Sequence, residues 1–439
     1  MFKASYMSQI VSDNILATIY LLMWIFTFIW YQHKNSTIDA GSTIIIAYIV
    51  YAVFSLLSLN DVFFSVAYNP LRFFPYFYLY TMLMIALLPA IYNHINPVTS
   101  IEKPITRVLK YISIIIFLCS VLQIPDIMSN ASSGIMKIIT DSDAGKDAYM
   151  EQIEEAENSG SVIRNIPSII YNSLSDITVF LCFYFMTLKK KNFWLICALV
   201  FSIFIGILIP ITRGQRGGVI SGILTAICGY MLFRRYISKG INWFVQRVGV
   251  VCMIAATLPI AAITISRFSK ESLGIGGYVN WYVGQGSLYF NNYGLDPGGS
   301  RNGDRTLNLF KRLVDSSTPQ NYVERREKYH NLDLDDNLFS TFVGDFTIDF
   351  GPVTAFVIFV LFNFLILLGI RPRDGTLKLH QILLLYFTLC VSIQGGMTLF
   401  SYSDSGNLRI VTMALLYAYL RYHELLLEKF PLITKSNNN

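Results

Sequence analysis

Stretches of about 20 mostly apolar residues, the length a helix needs to cross a bilayer, recur from one end of this chain to the other. Backbone polar groups have no water to bond in lipid, so such stretches satisfy themselves as helices. The pattern predicts an all-α, polytopic transmembrane bundle of about eleven spans, with ten to fourteen as the range. They lie near 15–32, 39–58, 72–92, 105–124, 164–187, 192–211, 217–233, 243–265, 346–370, 379–397 and 408–424. Charged residues make up only 14% of the chain, against roughly a quarter in soluble domains. One soluble core cannot absorb so many apolar runs.

Loop charges set the expected orientation. Lys189, Lys190 and Lys191, then Arg234, Arg235 and Lys239, then Arg371, Arg373 and Lys378 mark three short basic loops. Short basic loops stay in the cytoplasm. Alternation then places Glu102 to Lys110 and the C-terminus inside, and the N-terminus outside. The net charge of +6 is distributed between spans, so it is a topology signal and nucleic acid is not an expected partner. No basic segment precedes the first apolar run and no small-residue cleavage site follows it. The first span is therefore expected to direct insertion itself. The six cysteines lie in or beside apolar runs without CxxC spacing, as packing residues do, so neither a disulfide framework nor a metal site is expected.

The expected domains are 1–124, an acidic outside loop at 125–163, central spans at 164–265, a large outside loop at 266–345, and the last spans and tail at 346–439. The acidic loop carries Asp141, Asp143, Asp147, Glu151, Glu154, Glu155 and Glu157 and is expected to contain an amphipathic helix. The large loop holds Tyr278, Trp281, Tyr282, Tyr289 and Phe290, too aromatic for a disordered linker. It is expected to fold on the membrane surface.

The sharpest local feature is Pro210-Ile-Thr-Arg213-Gly-Gln-Arg216-Gly-Gly218, an outward turn where a helix begins. Guanidiniums bind phosphate through paired donors, and a helix N-terminus adds free N–H groups. Anchoring to lipid headgroups is the plainer reading of the same residues. Arg267 stands at the next outer interface, where it binds a ligand or snorkels. Arg301, Asp304 and Arg305 lie in a glycine-rich part of the large loop and equally suit a surface ion pair.

Asp345 and Asp349 open the following span. If helical they share a face at i, i+4, directed into a cavity where one takes a proton from an attacking hydroxyl. If Pro352 starts the span, Asp349 reads instead as a helix cap. Asp176, with Ser168, Asn172 and Ser175, forms a polar stripe inside a span, either a buried hydrogen bond or a substrate contact. His330 in its charged run reads as solvated. No Walker A motif, Rossmann fingerprint or HExxH is present, which argues against ATP-driven transport, nicotinamide redox chemistry and zinc proteolysis. No cofactor is expected, and an outside site would draw on an energy-rich donor already anchored in the membrane.

On the Arg213-Gly-Gln-Arg216 turn, the Tyr278-Val-Asn-Trp281-Tyr282 segment and Gly344-Asp345 through Asp349-Phe-Gly351, the chain resembles the O-antigen polymerase, or oligosaccharide repeat-unit polymerase, family. The architecture carries that resemblance over most of the chain. It implies a lipid-dependent glycosyltransferase (GT-C-like) fold in the bacterial inner membrane, working at the periplasmic face. The implied reaction joins undecaprenyl-diphosphate-linked oligosaccharides, as donor and acceptor, into O-antigen, capsule or exopolysaccharide. Carried onto this sequence, Arg213, Arg216 and Arg267 would hold the diphosphate. Asp345 or Asp349 would be the base, and Arg301, Arg305, Tyr282 and Asp176 would contact substrate. Membrane lipids and a chain-length-determining co-polymerase are the implied partners. The His-x7-Gly pattern of the related ligases is not met at His330, where Leu338 takes the last position. An O-antigen ligase, a lipid-linked-oligosaccharide flippase and a surface receptor are the alternatives.

Overall fold

The computed structural model describes residues 2–61, 67–98, 100–102, 107–130, 162–213, 215–268, 274–336, 338–372, 375–394, 396–397 and 404–429. Nearly all of these are helical. Among the described residues eight helices are long and apolar enough to cross a membrane, and there are nine spans if one bent pair is counted together. The chain is thus a polytopic helical membrane protein. The expected amphipathic helix of the acidic loop falls at 131–161, outside the described residues.

Helix starts follow local chemistry. Asp39 caps Ala40–Leu59 by accepting from the Ser42 backbone N–H at 3.0 Å. Asn192 does the same for Phe193–Thr212 through the Leu195 N–H. Each cap supplies one of the acceptors that first-turn N–H groups lack. Aromatic rings fill the core of the first three spans: Trp24 is fully buried and meets Tyr48 and Tyr80, while Tyr20 stacks on Tyr76.

Four expected spans differ in detail. The segment expected as 164–187 is broken at Leu174, and its halves Ile166–Ser173 and Ser175–Thr187 meet at 55°. The 346–370 segment is two helices, Thr341–Phe350 and Pro352–Gly369, parted by Gly351 at φ 79°. Glycine reaches that left-handed region without steric cost, and Pro352 then opens the next helix with a preset φ. Asp345 and Asp349 share a helical face and Pro352 still begins the span, but the N-cap residue is Gly351 and not Asp349. The 379–397 segment is helical only over Leu379–Ile393, and the 408–424 segment lies within a longer, more polar helix, Asp404–Lys429.

The described loop residues meet in two groups. At one end Ser100 and Ile101 pair in parallel with Thr376 and Leu377. There too the Tyr236 hydroxyl donates to the Val98 carbonyl and Arg235 donates to Thr37. His94 bridges the Asp39 carboxylate at 2.7 Å and the Tyr31 carbonyl at 2.9 Å. At the other end the Asn69 and Arg72 backbone N–H groups donate to Asn292 and Asn291, and Asn407 joins Thr306 and Leu309.

The large loop does not simply rest on that second end. Its helix Gly274–Tyr289 lies along Ala40–Leu59, where the Ser55 hydroxyl donates to the Gly284 carbonyl at 2.6 Å and meets Ser287 at 2.8 Å. A π-turn, Phe290–Gly294, follows and buries Phe290, which stacks on Tyr78. Apolar character in this loop is spent on helices already in the bundle, a use that hydropathy does not distinguish from a surface fold.

The contact at Gly284 has no slack. A Cβ there would lie 2.3 Å from the Phe54 carbonyl carbon and oxygen and 2.4 Å from the Ser55 nitrogen. Alanine is the better helix former by about 1 kcal/mol, yet backbone cannot yield as a side chain can. Gly284→Ala is therefore expected to destabilise by about 1–3 kcal/mol, read as a lower melting temperature in detergent. A melting temperature at or above wild type would mean that the helices can separate at little cost.

Candidate functional site: a cavity beneath the arginine turn

A cavity of about 520 Å³ opens among the broken span, Phe193–Thr212 and Arg216–Phe233, and is lined as well by Tyr282 and Phe339 of the large loop. It gathers three residues that sequence singled out separately: Arg216, Asp176 and Tyr282. Arg216 occupies the first position of its helix, and its N-cap Gln215 makes no side-chain cap hydrogen bond. The first-turn N–H groups of Arg216, Gly217 and Gly218 therefore accompany the guanidinium at the wall of the cavity, and the two glycines leave the backbone approachable. The side chain is held from two sides. Its Nη1 donates to Thr264 at 3.2 Å, and its carbon centre lies 4.6 Å from the Tyr282 ring centroid, a cation–π contact. Phe339 meets the same tyrosine edge-on at 5.2 Å.

Asp176 sits in the first turn after the break in its span. Breaking the helix frees the carbonyls of the preceding turn, and they find donors on the last described helix: Arg409 Nε donates to the Asn172 carbonyl at 3.0 Å and the Thr412 hydroxyl to that of Ser173 at 2.7 Å. Arg409 Nη1 lies 3.8 Å from Asp176 Oδ1 and lines the cavity with it. The Tyr386 hydroxyl donates to the Asp176 carbonyl at 3.0 Å. Arg409 was not singled out from sequence. The available signal was an ionisable residue inside an expected span, which looks for an opposite charge in another span.

The remaining candidates lie elsewhere. Arg213 terminates Phe193–Thr212 one turn away and does not line the cavity. Burial lowers its pKa, with the Asp126 charge opposing, and an arginine remains charged through such a shift. Arg267 is in the final turn of Lys239–Phe268, with its side chain outside the described residues. His330 is exposed, its Nδ1 2.6 Å from the Glu327 carbonyl.

Asp345 and Asp349 face guanidiniums, not the cavity. Asp349 Oδ1 accepts from Arg301 Nε at 2.8 Å, and Oδ2 accepts from the Thr306 N–H and hydroxyl, both at 2.8 Å. Asp345 lies 3.1 Å from Arg305 Nε. Asp336 completes the network by accepting from Arg301, Arg305 and Arg325. A second cluster beside it ties Asp304 to Lys311, Lys328 and Tyr329. With Asp345 and Asp349 each 1% exposed and Arg301 and Arg305 at 3% and 2%, this is a buried ionic lock. It folds the large loop onto the mouth of the bundle and so carries Phe339 to the cavity.

Burial alone would raise the Asp336 pKa, but the guanidiniums of Arg305, Arg301 and Arg325 outweigh it and hold the carboxyl well below the usual range. A depressed folded value means that its stabilisation is present above the unfolded pKa near 4 and is lost as pH falls through the folded one. The large loop is expected to melt at an unchanged temperature from neutral pH down to about 5, and at falling temperature below about 4. Asp336→Asn should melt lower at neutral pH and lose the acid limb contributed by this residue. An unchanged profile in that variant would assign acid sensitivity to other carboxylates.

Comparison of the chain with protein-family models, with curated proteins and with solved structures found no match. Among the described residues no group of His, Cys, Asp and Glu is arranged to hold a metal ion.

Proposed function

We propose that this protein is a membrane glycosyltransferase that joins lipid-diphosphate-linked oligosaccharide units, a repeat-unit polymerase acting at the end of the bundle that holds the large loop. The observation that carries this reading is the cavity, which brings a buried cation, an uncapped helix N-terminus and a carboxylate to one space within a membrane-spanning bundle. A diphosphate at the N-terminus of Arg216–Phe233 meets Arg216 and the first-turn N–H groups. These donors stabilise the negative charge that grows as the bond from the sugar anomeric carbon to the diphosphate oxygen breaks. The acceptor hydroxyl forms the new bond to that carbon, and its proton passes to Asp176, the carboxylate that lines the cavity. Tyr282 and Phe339 cover the sugar from above. In this reading Asp345 and Asp349 support the site by holding the large loop. The partners are the undecaprenyl-diphosphate-linked donor and acceptor and a co-polymerase that sets chain length, in a bacterial inner membrane with the large loop in the periplasm.

A transporter of lipid-linked oligosaccharides is the second reading, favoured by one observation, the broken span. Discontinuous helices are a common device for substrate sites in transporters. Deleting the gene in its host and resolving surface and lipid-linked glycans on a gel separates the readings. Collapse of the length ladder to one unit, restored by the wild-type gene, is the expected result. Long chains kept on the carrier lipid would identify a ligase. Single units trapped on the cytoplasmic face would identify the transporter.

A further inference from the structure

The pairing of Arg409 with Asp176 is looser than the hydrogen-bonded ion pairs of the buried lock. Its 3.8 Å separation is beyond hydrogen-bond length, whereas Asp349 and Arg301 stand 2.8 Å apart. Both side chains are partly open, Arg409 at 24% and Asp176 at 17%, and both line the cavity. Among the described residues the Arg409 guanidinium has one hydrogen bond, from Nε to the Asn172 carbonyl, while Nη1 lies 3.8 Å from the carboxylate.

From this geometry we infer that Arg409 is a second anion-binding residue of the cavity, with Asp176 holding its place until a phosphate arrives. The ligand class is a diphosphate ester. Its oxygens pair with the terminal nitrogens of Arg409 while Nε keeps the Asn172 carbonyl. The exchange releases Asp176 from its cation at the moment substrate is bound, so the carboxylate is available as a proton acceptor only in the loaded site. The release of Asp176 rests on the transferase reading; the anion-binding role of Arg409 does not.

Because the resident carboxylate competes with the incoming anion, removing its charge has opposite effects on capture and on chemistry. The test measures binding of farnesyl diphosphate and of inorganic pyrophosphate to full-length protein in phosphatidylcholine nanodiscs. Arg409→Gln is expected to weaken both ligands about tenfold, the loss of one charge-assisted pair. Asp176→Asn is expected to tighten both several-fold, and the double variant to match Arg409→Gln alone.

Thr412→Val removes the neighbouring cap on the broken span without touching the anion, and its affinity should stay at the wild-type value. If it instead fell as far as that of Arg409→Gln, Arg409 would be a helix cap only. Unchanged or weakened binding in Asp176→Asn would overturn the exchange. Displacement of farnesyl diphosphate by phosphatidylglycerol at equal concentration would make the occupant a bulk lipid headgroup and overturn the diphosphate assignment. Should this binding pattern hold while the host's glycan ladder survives gene deletion, the polymerase reading fails and Arg409 keeps its role.

Discussion

Replacing Arg301 with alanine is expected to unlatch the large loop and to abolish activity with it. Arg301 pairs at once with Asp349 and Asp336, and its Nη2 lies 3.9 Å from Asp345, all three carboxylates being almost completely screened from water. Removing one partner of a buried pair leaves an uncompensated charge, at a cost of about 3–5 kcal/mol. Limited proteolysis should then cut within residues 301–336, which are expected to resist in the wild type, while the spans remain inserted. Lysine is not an adequate substitute, because a single ammonium cannot serve divergent carboxylates as a planar guanidinium does. Asp349→Asn should lose folded protein and activity in parallel for the same reason. A variant at Asp349 that stays folded and protected but has no turnover would return that residue to the role of base.

The second large effect falls on Arg216. Arg216→Ala is expected to reduce glycan elongation at least a hundredfold, a loss of about 2.7 kcal/mol or more of transition-state stabilisation. Its described contacts are with a hydroxyl and an aromatic face, and protein yield is expected to hold. Arg213→Ala provides the contrast. One turn away and outside the cavity lining, it should lose far less. Elongation assays on membranes carrying equal amounts of each variant would decide. Equal loss at both positions would mean that the turn acts as a lipid anchor.

How these two sites came to differ illustrates what local patterns encode. Arg213 and Arg216 look alike in sequence, two guanidiniums in one glycine-rich turn. Which of them enters the cavity is set by where Phe193–Thr212 stops and Arg216–Phe233 begins, a boundary that hydropathy leaves uncertain by a few residues. Asp345 and Asp349 were readable as one helical face, because i, i+4 spacing is local. Their partners were not, since Arg301 lies 48 residues before Asp349 and nothing in either neighbourhood names the other. A carboxylate facing a cavity and one facing a guanidinium have the same local sequence.

The spans show the same division. Every expected apolar segment contains a helix, and parts of two basic loops, Arg235 with Tyr236 and Thr376 with Leu377, lie with Val98, Ser100 and Ile101 at one end. The bend at Leu174 was hidden because its freed carbonyls are satisfied by Arg409 and Thr412 from the far end of the chain.

The crossing at Gly284 also bears on how this molecule is made. Gly284 receives the hydroxyl of Ser55 from 229 residues earlier in the chain. At about 5–20 residues per second, a ribosome needs on the order of ten to fifty seconds to traverse that interval. Throughout that wait the second span lies in the membrane with its small-residue face unfilled and its serine without its eventual acceptor. Newly made protein should therefore depend on the insertion machinery, or on a temporary lipid or helper, to keep that face from pairing with the wrong helix. Chains halted before Gly284 should be cleared by quality control as orphans.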